Sequence, residues 1–220
     1  MKRLVIFDLD GTLLDTIDDL AASTNHALRD NGLPMHDTAA YKHFVGNGIM
    51  KLIERAMPAS KVNDASLARM RASFLAHYDR HNCDLTRPYD GITAMLHALA
   101  DKGIGMAVAS NKYDSAVKRI IGHYFPDIPF IAAEGNKEGV APKPDPAIVL
   151  GIMAAAGCAK GDVLYVGDSG VDMQTAANAG VEACGVTWGF RPVDELRQFA
   201  PQHIVSTPAE IVALATGDAR

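Results

Sequence analysis

The sequence has little cysteine. Its 220 residues include three cysteines, Cys83, Cys158 and Cys184, and none of them forms a CxxC pair. An odd number of cysteines without paired spacing argues against a disulfide framework and indicates reduced thiols. Because thiols stay reduced in the cytosol, we expect a cytoplasmic protein.

Excess positive charge and long apolar runs are also missing. The formal net charge is -5, which argues against nucleic acid as a partner. The apolar run that follows Met1-Lys2-Arg3 ends at Asp8, so it is too short for a signal-peptide core or a membrane span. We therefore expect a protein that binds neither nucleic acid nor a membrane.

Hydrophobic patterning predicts strands that alternate with helices. Residues 4–7 form a continuous apolar run with Val and Ile, which is typical of a buried strand. Four helical segments follow, at residues 17–31, 37–45, 48–57 and 63–81. Further along, helices are predicted at 92–102, 114–123, 145–156 and 171–179, and strands at 104–109, 129–133, 163–166 and 183–187. This alternation predicts an α/β fold with a doubly wound parallel sheet.

The same pattern divides the chain into two predicted domains. No convincing strand interrupts the helical region, and Arg87-Pro88-Tyr89-Asp90-Gly91 punctuates the chain at its end. We expect residues 1–15 and 88–220 to form the α/β core domain. Residues 16–87 are then an all-helical insert that leaves the core after the first strand and returns before the second.

Two acidic residues, Asp8 and Asp10, stand at the end of the first predicted strand. Side chains alternate along a strand, so both carboxylates start on the same side. Gly11 then lets the chain turn away, and Thr12 adds a hydroxyl. Carboxylates beside a buried strand are costly unless a cation meets them, and Mg²⁺ is the natural partner because it prefers oxygen ligands.

Three further polar clusters are predicted at the same edge of the sheet. They are Ser110-Asn111-Lys112, Lys143 between two prolines, and Asp168 together with Asp172. The carboxyl ends of parallel strands share one edge, so we expect these groups to converge on Asp8 and Asp10.

The converging groups suit phosphoryl transfer. A phosphate monoester is an anion that carboxylates alone would repel, and Mg²⁺ held by Asp8 and Asp168 would offset that repulsion. Lys143 would supply a second positive charge, and Thr12 and Ser110 would donate hydrogen bonds to phosphate oxygens. One carboxylate can then attack phosphorus while its neighbour protonates the leaving oxygen.

The four motifs, in this order, resemble the signatures of the haloacid dehalogenase superfamily. Asp8-Leu9-Asp10-Gly11-Thr12 is similar to the first signature. The other three are matched by Ser110, by Lys143 and by Gly167-Asp168-x-x-x-Asp172. The resemblance covers essentially the whole chain and implies a Rossmann-like core with an inserted cap domain that closes over the site.

The resemblance also implies a role for each matching residue. Asp8 would be the nucleophile and Asp10 the general acid and base, an arrangement typical of phosphotransferases rather than dehalogenases. Asp8, Asp168 and the backbone carbonyl of Asp10 would bind Mg²⁺, and Asp172 would support the metal through water or from behind its ligands. The residues that would bind the phosphate are Thr12, Ser110, Asn111 and Lys143.

Part of the helical insert narrows the expected substrate. Phe44-Val45-Gly46-Asn47-Gly48 and the following Leu52–Ala56 segment resemble the cap of bacterial phosphoglycolate phosphatases, and Gly185–Phe190 resembles their C-terminal region. Gly46 and Gly48 would allow close approach to a small substrate, and Asn47 would hydrogen-bond its carboxylate. The expected substrate is a small phosphorylated metabolite, with 2-phosphoglycolate first among the candidates.

Other functions of the same core stay open. A hexose-phosphate mutase would keep both aspartates, and pyrophosphate or a nucleotide are further possible substrates. A phosphonate hydrolase would need a cap lysine that forms a Schiff base, for which Lys51 is the candidate. A non-catalytic module is disfavoured, because all four motif positions are intact and a carboxylate cluster without a function would cost stability. The sequence is compatible with a monomer or a homodimer.

Overall fold

The computed structural model describes residues 1–218 and contains a six-stranded sheet surrounded by helices. The strands are β1 (Leu4–Phe7), β2 (Leu14–Asp15), β3 (Arg87–Pro88), β4 (Gly105–Tyr113), β5 (Phe130–Asn136), β6 (Val163–Gly167), β7 (Glu182–Val186) and β8 (His203–Val205). The helices are α1 (Ile17–Asp30), α2 (Thr38–Phe44), α3 (Ile49–Ala56), α4 (Asp64–His81), α5 (Ile92–Asp101), α6 (Asp114–Tyr124), α7 (Ala147–Ala156), α8 (Gly170–Ala179), α9 (Val193–Arg197) and α10 (Pro208–Thr216). Within residues 1–218, no helix combines the length and the apolar character needed to cross a lipid bilayer.

Strand β1 lies at the centre of the large sheet, whose order is β5-β4-β1-β6-β7-β8. Leu4 is in register with Gly105 of β4 and with Val163 of β6, and both pairings are parallel. All four residues of β1 are fully buried, which explains why this strand is apolar throughout instead of alternating. Strand order runs outwards from β1 in both directions, so the predicted doubly wound α/β fold is confirmed.

Helices cover both faces of this sheet. Val5 and Phe7 belong to the apolar cluster that includes side chains of α5, α6 and α10. Leu4 and Ile6 belong to a second cluster, with side chains of α7 and α8. The division follows from the alternation of side chains along β1. Full burial of a Leu, Val, Ile or Phe side chain contributes about 1.5–3 kcal/mol to the free energy of unfolding, so the side chains on both faces of β1 stabilise the fold.

Helices α1–α4 lie between β2 and β3 in the chain. Strands β2 and β3 form a short antiparallel ribbon, in which Leu14 is opposite Pro88 and Asp15 is opposite Arg87. The ribbon was not predicted, because strands of two residues are too short to show an alternating pattern. The ribbon pairs the segment that leads from the sheet into α1 with the segment that returns from α4. The domain boundaries at residues 15/16 and 87/88 stay a prediction.

Strand β4 is longer than predicted. The prediction ended it at Ala109, but the strand continues to Tyr113 and so contains the polar residues Ser110, Asn111 and Lys112. Its pairing with β5 shifts register between Ala109 and Tyr113, so these polar residues lie where the regular ladder is interrupted. Three elements after residue 187, which are α9, β8 and α10, were not predicted either.

Asp19 of α1 holds the connection that returns from α4 to the sheet. Its buried carboxylate accepts hydrogen bonds from the backbone N–H groups of Leu85 and Thr86 and from the Thr86 hydroxyl, over 2.7–3.1 Å. The hydroxyl of Tyr124 on α6 donates to the Thr86 carbonyl at 2.7 Å. A buried carboxylate is tolerated when its oxygens receive donors in this way. Asp19 therefore fixes the returning connection to α1, and Tyr124 joins that connection to α6 beside the sheet.

Replacing Asp19 with alanine should lower the free energy of unfolding by about 1–3 kcal/mol, because buried backbone donors would lose their acceptor. Chemical denaturation followed by circular dichroism measures this loss. Asp18→Ala is the matched control, since Asp18 is the neighbouring acidic residue of α1 but is only half-buried. Equal losses in the two variants would contradict the role given to Asp19.

Candidate active site

Polar side chains converge at the carboxyl ends of the three central strands. Asp8 directly follows β1, Asp168 directly follows β6, and Ser110 lies in the last part of β4. Because β1 pairs with both β4 and β6, these three positions lie side by side along one edge. This edge is the usual location of ligand sites in parallel α/β sheets.

Three buried carboxylates form the centre of the site. One oxygen atom from each of Asp8, Asp168 and Asp172 lies within 4.8 Å of the other two. Asp172 belongs to the first turn of α8, where it forms a capping box with Ser169. The Asp172 carboxylate accepts hydrogen bonds from the backbone N–H and the hydroxyl of Ser169, at 3.1 and 2.6 Å. One strand-to-helix turn therefore supplies two of the three carboxylates and orients the second of them.

Lys143 is the buried cation of this cluster. Its Nζ lies 2.9 Å from Oδ1 of Asp8 and 2.7 Å from Oδ1 of Asp172. It also donates to the carbonyl of Ala109 and the hydroxyl of Tyr165, at 3.0 and 3.1 Å. Burial lowers the pKa of Lys143, but the charges of Asp172 and Asp8 outweigh burial and hold that pKa well above its ordinary value. The lysine therefore keeps its positive charge inside the protein.

The cluster carries more negative charge than one lysine offsets. Burial, and then the charge of Asp172, raises the pKa of Asp8 to about 7, although Lys143 opposes the shift. Burial and the charges of Asp172 and Asp8 also raise the pKa of Asp168 well above its ordinary value. Raised pKa values of this kind mark a site that would gain stability from a further cation.

The free oxygen atoms of the cluster belong to Asp8 and Asp168. Both carboxylate oxygens of Asp172 already accept hydrogen bonds within the cluster. Among residues 1–218, the Asp8 carboxylate has one close polar partner, Lys143, which contacts Oδ1. The Asp168 carboxylate also has one, the backbone N–H of Phe190, which donates to Oδ2 at 2.7 Å. Buried, incompletely paired carboxylate oxygens fit a hard divalent cation such as Mg²⁺.

Two glycines let neighbouring loops close around Asp168. Gly11 has a φ of 85°, a left-handed conformation that favours glycine. A Cβ atom on Gly11 would overlap the Asp168 carboxylate, and one on Gly189 would overlap both the Asp168 side chain and the Gly11 carbonyl. The absence of a side chain at these two positions therefore lets the segments after β1 and β7 enclose the carboxylate.

Asp10 has a separate cation. The Nζ of Lys112 lies 2.7 Å from Oδ1 and 2.9 Å from Oδ2 of Asp10, and both side chains are largely buried. The hydroxyl of Thr16 donates to Oδ1 of Asp10 at 2.7 Å. On its other side, the Lys112 Nζ stands 5.0 Å from the centre of the Tyr78 ring, at a distance typical of a cation–π contact.

Two hydroxyls of the site have spare hydrogen-bonding capacity. The hydroxyl of Thr12 is buried and has no hydrogen-bond partner among residues 1–218. The hydroxyl of Ser110 accepts a hydrogen bond from the backbone N–H of Lys112 at 3.2 Å, which leaves its own proton for another acceptor. A contact of either hydroxyl with phosphate stays a prediction.

Asn111 is engaged within the protein. Its Nδ2 donates to the carbonyls of Gly46 and Lys143, at 3.0 and 3.1 Å, and its Oδ1 accepts from the Lys143 backbone N–H at 2.8 Å. The side chain therefore joins the loop before α3 to the segment that carries Lys143. A direct contact of Asn111 with phosphate stays a prediction.

A small cavity of about 50 Å³ lies between the sheet edge and the helical insert. Asp8, Asp10, Ser110 and Lys112 line it from the core. From the insert it is lined by Gly46 and Gly48 and by an apolar wall of Leu20, Val45, Ile49, Leu52 and Phe74. The cavity thus combines one polar side, which contains both aspartates, with one apolar side.

Asn47 is not among the residues that line this cavity, although both flanking glycines are. Its Oδ1 accepts a hydrogen bond from Arg55 of α3 at 2.8 Å, and Arg55 also donates to the Phe44 carbonyl at 2.9 Å. The predicted contact between Asn47 and a substrate carboxylate therefore stays a prediction.

Some residues of the site were not singled out from the sequence. Lys112 was part of a predicted polar cluster but had no assigned role. Its position directly after Ser110 and Asn111 could have indicated a place in the site. Trp188 donates from Nε1 to the Thr12 carbonyl at 3.0 Å, and Arg191 donates to the Val45 carbonyl at 2.9 Å. These partners lie more than a hundred residues apart in the chain, so no local pattern indicates the contacts.

Comparisons with known proteins find relatives along nearly the whole chain. The model of the haloacid dehalogenase-like hydrolase family matches residues 5–186. A phosphoglycolate phosphatase from Pseudomonas putida is 37% identical over 206 residues, which cover 88% of this chain and 74% of the relative. A phosphoglycolate phosphatase from Mesorhizobium japonicum is 33% identical over 207 residues, which cover 93% of this chain and 91% of the relative.

Solved structures give the same result for the architecture. A predicted phosphoglycolate phosphatase from Haemophilus somnus superposes with a TM-score of 0.90 at 29% identity and covers 97% of both chains. A subfamily IA hydrolase of the same superfamily from Geobacter sulfurreducens superposes with a TM-score of 0.73 at 20% identity, covering 97% of this chain and 96% of its own. The second likeness concerns the fold alone.

The metal-free protein should lose stability as the pH rises through about 7. The folded state holds a proton on Asp8 up to about pH 7, whereas an unfolded aspartate releases it near its ordinary pKa of 3.8. Between the ordinary pKa of 3.8 and about pH 7, the folded state therefore binds more protons than the unfolded state. Raising the pH across this window favours unfolding. Melting temperatures in EDTA between about pH 5 and about pH 8 measure the effect.

Asp8→Asn is the control for this measurement, because its neutral amide does not titrate. The melting temperature of the variant should depend less steeply on pH over the same range. Parallel profiles for the two proteins would contradict the raised pKa of Asp8.

Proposed function

The chain belongs to the haloacid dehalogenase-like hydrolases and is a phosphoric monoester hydrolase, and we propose that it converts 2-phosphoglycolate into glycolate and phosphate through an aspartyl-phosphate on Asp8. The observation that carries the proposal is the buried cluster of Asp8, Asp168 and Asp172 around Lys143. Ionisable groups with strongly shifted pKa values beside a cavity are typical of catalytic sites.

In the first step, a carboxylate oxygen of Asp8 attacks phosphorus, and the bond between phosphorus and the ester oxygen breaks. Lys143, 2.9 Å from Asp8, offsets the negative charge that the phosphate brings. The spare hydroxyls of Thr12 and Ser110 donate to phosphate oxygens. These groups are buried before the substrate arrives, so little reorganisation is needed during the step.

Asp10 moves the protons. In its protonated form it donates a proton to the oxygen that leaves as glycolate, and this makes it the carboxylate that pairs with Lys112. In the second step this carboxylate takes a proton from the attacking water, which restores the protonated form. The water oxygen bonds to phosphorus, the phosphorus–Asp8 bond breaks, and the Asp8 carboxylate is restored. The presence of Asp10 and Asp8 in the lining of one cavity supports these two roles.

Mg²⁺ is the metal that we propose for the site, held by Asp8, Asp168 and the backbone carbonyl of Asp10. When bound, it supplies a Lewis acid that neutralises charge on the phosphate. Asp172 orients the cluster from behind, because its own oxygens are occupied by Lys143 and Ser169.

The names of the relatives and the size of the cavity support 2-phosphoglycolate as the substrate. A cavity of about 50 Å³ suits an ester of a very small alcohol better than a hexose phosphate or a nucleotide. A phosphonate hydrolase has no support, because Lys51 pairs with Glu54 on the exposed surface of α3, at 2.7 Å, and does not line the cavity.

A phosphate-release screen with Mg²⁺ tests the substrate. Among 2-phosphoglycolate, pyrophosphate, hexose phosphates, nucleotides and a phosphonate, kcat/KM should be highest for 2-phosphoglycolate, by about tenfold or more. Asp8→Asn should release phosphate from none of them. A flat profile would reject 2-phosphoglycolate and leave the Asp8 step standing, whereas an active Asp8→Asn variant would reject the nucleophile.

Removal of divalent metal with EDTA should abolish phosphate release, and added Mg²⁺ should restore it, because phosphate and carboxylates would otherwise repel each other. Asp168→Asn should raise the Mg²⁺ concentration needed for half-maximal activity by about tenfold or more while leaving the circular dichroism spectrum unchanged. Undiminished activity in EDTA would contradict the metal-dependent mechanism.

A further inference from the structure

The roles proposed above leave one cation of the cavity without a function towards the substrate. Among residues 1–218, Lys112 is the one lysine or arginine that lines the cavity. Its side chain is 4% exposed and comes from the irregular end of β4. An ammonium group has three donors, and the contacts recorded for the Lys112 Nζ both go to the carboxylate of Asp10. The Lys112 ammonium therefore keeps the capacity to bind a second anion.

Tyr78 of α4 supplies an unused donor in the same corner. Its side chain is fully buried, and its hydroxyl has no hydrogen-bond partner among residues 1–218. Buried hydroxyls without a partner are rare in native proteins, so each one needs an explanation. Tyr78 lines the cavity, and Lys112 Nζ lies 5.0 Å from the centre of its ring. Lys112 and Tyr78 are therefore neighbours in the lining of the cavity.

The rest of the cavity wall favours a single short anion at this place. Ile49, Leu52 and Phe74 offer it no polar partner, and a low local dielectric strengthens an ion pair with Lys112. Asn47, the residue predicted from the sequence to meet a carboxylate, is bonded to Arg55 and stands outside the cavity lining. The charge needed for a substrate carboxylate is thus on β4 and not in the loop before α3.

We infer that Lys112, together with the Tyr78 hydroxyl, binds the carboxylate of the substrate, so that the cavity selects small phosphorylated carboxylic acids. This inference rests on the proposed function, in which Asp8 and Lys143 take the phosphate end. Before the substrate binds, Asp10 holds the Lys112 ammonium in place through both of its carboxylate oxygens. The substrate carboxylate then adds a second anion to the same lysine.

The test compares 2-phosphoglycolate with ethyl phosphate, an ester of matched length without the carboxylate. Lys112→Met should lower the preference for 2-phosphoglycolate over ethyl phosphate, which is the ratio of the two kcat/KM values, by about 20-fold or more. Any loss that comes from leaving Asp10 without its cation affects both esters and cancels in this ratio. Lys112→Arg, which keeps the charge, should recover part of the loss. Tyr78→Phe should lower kcat/KM by about threefold to tenfold for 2-phosphoglycolate alone.

The outcomes distinguish a failure of the role of Lys112 from a failure of the proposed function. If wild-type enzyme shows no preference for 2-phosphoglycolate over ethyl phosphate, the proposed substrate is wrong and the role of Lys112 fails with it. If the preference survives in Lys112→Met, the proposed function stands and the inference is overturned. Equal losses on both esters would also overturn it, because Lys112 would then act only by positioning Asp10.

Two controls protect these comparisons from loss of structure. Lys118→Met removes an exposed lysine of α6 and should leave kcat/KM unchanged for both esters. Circular dichroism melting shows whether Lys112→Met folds. If it does not, Tyr78→Phe decides the inference, because it removes one hydroxyl without a change in side-chain charge, and an unchanged preference in that variant would count against the site.

Discussion

The contact of the Lys143 ammonium with Asp8 and Asp172 is the interaction on which the rest of the site depends. Three carboxylates with oxygens within 4.8 Å of one another would repel each other strongly in a buried place. A single lysine at 2.9 and 2.7 Å from two of them makes the arrangement tolerable without neutralising it fully. The remaining negative charge is what leaves room for a metal ion and, through it, for an anionic substrate.

The sheet explains how the chain assembles such a costly cluster. Asp8 directly follows a strand with no exposed residue, and Asp168 directly follows the strand that pairs with it. The position of each carboxylate is therefore set by backbone pairing within an apolar core, not by the polar residues themselves. Gly11 and Gly189 complete the arrangement, because the loops that carry them pass too close to Asp168 for any side chain.

Local patterns were sufficient to predict the central part of the fold. The apolar run of β1 and the strand–helix alternation after residue 92 follow from period and composition, and they led to the confirmed parallel sheet. The ribbon of β2 and β3 and the extension of β4 through Ser110–Lys112 could not be predicted this way. Both depend on partner strands elsewhere in the chain, which residue patterns within a short window do not contain.

The same distinction applies to the candidate site. Asp8, Asp10 and Asp168 stand in recognisable motifs at strand ends, and Lys143 stands in one just before α7, so their convergence could be anticipated from topology. The pairing of Lys112 with Asp10 joins residues 102 positions apart, and it depends on the irregular end of β4. Asn47 was singled out because the segment Phe44–Gly48 resembles the cap of phosphoglycolate phosphatases, but that resemblance does not indicate the conformation that directs Asn47 to Arg55.

The hydrogen bonds of Asn111 have a thermodynamic consequence for motion between the helical insert and the sheet. One amide group holds both the Gly46 carbonyl of the insert and the backbone of Lys143. Any movement that takes Gly46 away would remove one of these restraints and leave Asn111 freer than it is in this structure. The energy of such a movement and the placement of Lys143 would then be linked quantities, and by reciprocity an anion that fixes Lys143 would also help to hold Gly46 in place.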